Sequence, residues 1–148
     1  MMSKTIKRVV IDTNVLLVSV SSFSKYHWIY QLIIRKEIEI FITNEILFEY
    51  FEIVSEKFDL KTAKSVSRTL IELDNVNQIQ VYFNFNLIKN DPDDNKFVDC
   101  AISSNADYLL TNDKDFNILK TIAFPKVNVV NIEEFRKEIG KKNPDAMK

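Results

Sequence analysis

Short apolar runs rich in β-branched residues alternate along this 148-residue chain with longer segments of helical periodicity, and that alternation restricts the fold more than any other property. Val9-Val10-Ile11 forms a strand over 7 to 12 that ends on Asp12, after which Asn14 is placed to cap a short helix. A helix over Trp28 to Ile34 leads to a strand at Ile38 to Thr43. Thr43 or Asn44 then caps a helix reaching about Lys57, with Ile46, Leu47, Tyr50, Phe51, Val54 and Phe58 along one stripe. A further helix is expected over 61 to 74, and a strand over Gln78 to Phe83 with Ile79, Val81 and Phe83 on one face. Asp91-Pro92 starts a helix to about Asn105. Tyr108 to Thr111 reads as a strand, 115 to 119 as a helical turn, Val127 to Val130 as a strand, and the last helix is capped by Asn131. The pattern predicts an α/β three-layer sandwich with a central parallel β-sheet flanked by helices.

Length and composition narrow the function. At 46% apolar residues the chain can bury one substantial core, so a single domain over 1–139 is expected, with a flexible lysine-rich tail over 140–148. The N-terminus lacks the apolar core of a signal peptide and no run approaches the length of a membrane span, which points to a cytoplasmic protein. Cys100 is the only cysteine and His27 the only histidine, so an internal disulfide and a structural zinc site are excluded. The single glycine, Gly140, leaves no glycine-rich loop for a nucleotide phosphate. A serine or cysteine nucleophile would have to rely on His27, which lies in the aromatic stretch Tyr26-His27-Trp28-Ile29-Tyr30. Tyr26, Trp28 and Tyr50 fall at helical spacing and read as core or interface residues. A net charge of -1 neither announces nor excludes a nucleic-acid partner.

Four acidic stations remain: Asp12, Glu49, Asp94 and Asp113. Asp12 and Asp113 follow predicted strands, where open α/β sheets form their sites, although each is also placed to cap a turn. Glu49 lies beside the apolar stripe, with Ile46 three residues before it and Ile53 four after, and a carboxylate at that border needs a partner or an ion. Asp94 projects with Phe97, Val98 and Ala101 toward the sheet. Asp91, Asp93 and Asp115 read as helix-start residues, and Asp99 as a solvated residue and second-tier ligand. Thr111 is placed to orient a neighbouring carboxylate. Hard Mg2+ or Mn2+ takes such oxygen ligands without histidine or cysteine, as one ion or two. Lys89, Lys96 and Lys114 adjoin the acidic stations and would offset their charge toward an anionic ligand, or are ordinary surface lysines.

Asp12-Thr13-Asn14, the helical Glu49, Asp94 within Asp91-Pro92-Asp93-Asp94-Asn95-Lys96-Phe97, and the run from Asn105 to Phe116 together resemble the PIN-domain nucleases over about residues 7 to 132. The similarity is greatest to the single-domain bacterial branch of toxin components related to the VapC toxins. That resemblance implies metal-dependent cleavage of RNA, with Asp12, Glu49, Asp94 and Asp113 as ligands, Asn14 and Thr111 as polar supports, and Lys89, Lys96 and Lys114 as candidate RNA contacts. It also implies a cognate antitoxin and allows a homodimer. Asn112 departs mildly from the family pattern, at a spot often small or basic in relatives. Two other functions fit the residues: a catalytically silent RNA-binding or protein-interaction module, and a phosphoacceptor domain that uses Mg2+ at an aspartate.

Overall fold

In the computed structural model, which describes residues 5–142, five parallel strands form one sheet in the order β3-β2-β1-β4-β5. The strands are β1 (Lys7–Ile11), β2 (Ile38–Ile42), β3 (Val76–Gln78), β4 (Tyr108–Leu110) and β5 (Val129–Val130). β1 lies at the centre, with Val9 opposite Ile40 of β2 on one side and Tyr108 of β4 on the other. Val9 and Val10 are fully buried, as expected of a strand covered on both faces, which explains why its apolar residues run on without alternation.

Helices α1 (Thr13–Val20) and α2 (His27–Ile34) connect β1 to β2, and α3 (Asn44–Lys57) and α4 (Leu60–Glu72) connect β2 to β3. α5 (Asn95–Ser104) precedes β4 and packs on β1, β2 and β4, while α6 (Ile132–Lys142) follows β5. Thr43 caps α3 by accepting from the Ile46 N–H at 3.1 Å, and Asp59 caps α4 by accepting from the Thr62 N–H at 2.6 Å. Asn131 and Glu134 form a reciprocal capping box at the start of α6. Asn105 ends α5 in the left-handed region at φ 53°, a conformation that asparagine tolerates better than most residues. Cys100 is a core thiol, and burial pushes its pKa up to about 12. Among the described residues no helix is long and apolar enough to cross a membrane.

Three expectations need correction. Asn14 does not cap α1; the helix begins at Thr13 with Asp12 in the cap position, and Asn14 is exposed in the first turn. The strand expected over 78–83 is instead β3 at Val76–Gln78, followed by irregular chain. Its neighbour β2 ends at Ile42 and turns into α3, so after the Ile79 N–H donates to the Ile42 carbonyl no partner strand remains. Tyr82 and Phe83 accordingly face solvent. Finally, α6 continues through Lys142, past the boundary expected at 139; residues 143–148 of the expected tail lie outside the described residues.

Asn75 is a polar fastener in this core. Its side-chain amide donates to the Ile33 carbonyl at 3.0 Å and the Ile38 carbonyl at 2.9 Å, tying the end of α2 and the start of β2 to β3. Replacing it with alanine removes both donors, so Asn75→Ala is expected to cost about 2 kcal/mol of unfolding free energy. Urea denaturation of the two proteins measures this directly; a loss below about 0.5 kcal/mol would show that the amide is dispensable.

Candidate active site

The chain runs from β1 toward β2 and β3, then returns to the other side of β1 to form β4. That reversal makes the carboxyl ends of β1 and β4 a topological switch point, where the diverging connections leave a crevice. Asp12 stands at the end of β1 and Thr111 and Asp113 at the end of β4. The Asp12 N–H donates to the Leu110 carbonyl at 3.0 Å, which locks the two strand ends together.

Thr111 is almost wholly buried and links two of the acids. Its hydroxyl donates to Asp12 Oδ2 at 2.8 Å and accepts from the Asp113 N–H at 3.0 Å. Burial pushes the Asp12 carboxyl up to about 6; the Thr111 hydroxyl and the Thr13 backbone pull it down, and the charges of Asp113 and Glu49 push it up again. Asp94 closes the 3-10 turn Pro92–Asp94 that leads into α5. One of its oxygens is buried and accepts no hydrogen bond. Its pKa rises to about 7, first through burial and then through the charges of Asp91, Asp113, Asp12 and Asp115. The expected acids Asp12, Asp94 and Asp113 are therefore close enough to repel one another. The unpaired oxygen and an all-carboxylate donor set fit a hard divalent cation.

Asp91 and Asp115 were missed as members of this group. Carboxylate oxygens of Asp91, Asp94 and Asp115 lie within 4.8 Å of one another. Asp91 also accepts from the Asp93 N–H, so the helix-start role is real but does not exhaust it. The three-residue spacing of Asp91 and Asp94 was the available signal, because residues three apart align in a 3-10 turn. The roles expected at the end of β4 are partly exchanged: Asp113 caps the next turn by accepting from the Asp115 N–H at 2.9 Å, while the Asp115 carboxylate joins the cluster.

Glu49 has a different environment. One oxygen accepts from the Thr13 hydroxyl and the other pairs with Lys96 Nζ at 2.7 Å. The same ammonium lies 2.8 Å from Asp93 Oδ2 and donates to the Asp93 carbonyl at 2.9 Å. Lys96 is thus buried beneath its partners, not extended toward solvent as an RNA contact. Burial alone would depress its pKa, but Asp93 and Glu49 raise it above the ordinary lysine value. Lys89 and Lys114 are exposed. Asp99, expected to be solvated, is buried at 4% exposure because it accepts from the Phe85 N–H at 3.1 Å and so anchors the segment after β3. A cleft of about 560 Å3 opens there, lined by Thr43, Glu45, Gln80, Tyr82, Asn84, Asp93, Lys96 and Asp99 among others.

A parallel α/β sheet with acids gathered at its switch point defines the class of protein. A family model described as PIN domain matches residues 8–115, and the chain belongs to this family of nucleases. No curated protein matches its sequence. Among solved structures, a chain of the VapBC2 complex from Rickettsia felis, bound to a DNA fragment from their promoter, is similar with a TM-score of 0.59. The likeness covers 84% of this chain and 98% of that one at 20% identity, and at that distance it shows the shared fold.

The raised carboxyls carry a sign for stability. A folded pKa near 7 for Asp94 against 3.8 in the unfolded chain means that the folded state binds more protons between those values, so stability falls as pH rises through that window. With chelator present, the melting temperature is expected to decrease between pH 5 and pH 8, and Asp94→Asn is expected to flatten that slope and melt higher at pH 8. A variant melting below the parent at pH 8 would contradict an uncompensated Asp94 charge.

Proposed function

We propose that this protein is a metal-dependent endoribonuclease that hydrolyses RNA phosphodiester bonds and acts as the toxin of a toxin-antitoxin pair. The observation carrying this reading is the buried, unpartnered oxygen of Asp94 at a switch point shared with Asp12 and Asp113. Membership of the PIN-domain family supports the nuclease chemistry. The VapBC2 likeness, a fold-level analogy, supports the partner assignment.

In this reading Asp12, Asp94 and Asp113 would hold Mg2+ or Mn2+, and Asp91 and Asp115, whose carboxylate oxygens lie within 4.8 Å of that of Asp94, would be further ligands or counter-charges beside them. A bound divalent ion supplies Lewis-acid polarisation of the phosphate and lowers the pKa of a water. The chain supplies position. Thr111 fixes Asp12 by donating to one of its oxygens, leaving the carboxylate oriented by the ends of β1 and β4 together. The half-buried setting of Asp94 and Asp113 limits the water that screens them. Lys89 and Lys114, both exposed and adjoining the acidic stations in sequence, would offset phosphate repulsion. Asn14, at the exposed start of α1 two residues after Asp12, is a polar support in this reading.

The protein partner is a cognate antitoxin. Phe48 is 74% exposed beside Leu47 and Phe51 along α3, an apolar face available to that partner and one for which a homodimer would compete.

Purified protein is expected to cut single-stranded RNA with Mg2+ or Mn2+ and to stop with EDTA. Asp12→Asn and Asp94→Asn should each lower cleavage by about 100-fold or more while the circular dichroism spectrum is unchanged. Cleavage that survives both chelation and these substitutions would refute the site. RNA binding without turnover would favour a silent RNA-binding module.

A further inference from the structure

Among the described residues, Glu49 and Asp93 share an interior cation, Lys96. Lys96 sits at the first turn of α5 with its side chain only 5% exposed, and each of its three N–H donors has an acceptor: Glu49 Oε1, Asp93 Oδ2 and the Asp93 carbonyl. Glu49 is engaged at both oxygens, by Lys96 and by the Thr13 hydroxyl. Asp94, two residues before Lys96, is the contrast, because it keeps a buried oxygen with no donor. A divalent ion arriving at Glu49 would have to displace an ammonium that is already buried and paired, leaving that charge stranded. An ion arriving at Asp94 displaces nothing and relieves a repulsion.

We infer that Lys96, by pairing with Glu49, closes that carboxylate to a divalent ion, so that the site takes a single ion at Asp12, Asp94 and Asp113. Glu49 is then a positioning residue that holds Lys96 and Thr13, not a metal ligand. The inference rests on the nuclease reading only in taking the acidic pocket as an ion site. It makes the lysine part of the charge balance: one fixed monovalent charge beside one exchangeable divalent charge. The lysine also ties Glu49 on α3 to Asp93 in the turn before α5.

The test is to count Mn2+ bound to the purified full chain by calorimetry and electron paramagnetic resonance. Wild type is expected to bind one Mn2+ with the spectrum of an isolated ion. Glu49→Gln, which can still accept from Thr13, should bind one Mn2+ with affinity changed by less than about tenfold, whereas loss of a true ligand should exceed that. Lys96→Met should bind a second Mn2+, and the double variant Lys96→Met/Glu49→Gln should return to one. Two ions in wild type, an exchange-coupled pair signal, a loss of tenfold or more in Glu49→Gln, or a single ion in folded Lys96→Met would each overturn the inference. If Lys96→Met does not fold, Glu49→Gln and the wild-type count decide it. Absence of any Mn2+ binding in wild type would instead refute the metal-dependent reading on which the inference rests.

Discussion

Burial of β1 between two parallel neighbours is the constraint from which the rest of the structure follows. A strand covered on both faces and paired on both edges must be continuous in its apolar residues, and Val9-Val10-Ile11 meets that demand. The chain can then only continue outward from β1 in one direction and return to the other side, which creates a crevice at its carboxyl end. Asp12 is the next residue. Its position is therefore dictated by the hydrophobic core, and the side chains around it are arranged about a fixed point. Tyr50 reinforces the arrangement from α3, with a buried hydroxyl that donates to the Ile11 carbonyl.

Holding acids together at that point opposes folding, because charges that repel one another in a partly dry pocket lower the stability of the state that gathers them. The protein divides the problem in two. Glu49 and Asp93 receive an internal counter-charge from Lys96, whereas Asp12 and Asp94 are left with carboxyls held above their ordinary range. The stable half gives the pocket its shape and the uncompensated half gives it an appetite for a cation. Such a division is familiar in functional sites, where local stability is lower than the surrounding fold would permit.

Much of this layout could be read from the residues. The parallel sheet and its helices follow from apolar runs, Asp12 and Asp113 from what comes after two of them, and Asp94 from its projection with Phe97, Val98 and Ala101. Lys96 was hidden because its neighbours Asn95 and Phe97 give no sign of whether a long cationic side chain turns inward, and its partner Glu49 lies 47 positions earlier in the sequence. Asp99 was misplaced for a related reason: its acceptor role serves the Phe85 backbone, and irregular chain leaves no periodic signal. The alternation of Ile79, Val81 and Phe83 suggested a strand, but a strand needs a neighbour, and β2 had already ended.

The segment between β3 and α5 hangs from the helix that follows it. Asn95 exchanges two hydrogen bonds with the Ile88 backbone, and Asp99 receives the Phe85 N–H one helical turn later. Between these two anchors on α5 lies Lys96, and just before them Asp94. The loop and the acids therefore share a single mount. A change in the loop would reach the carboxylates through the helix they share, from outside the pocket itself.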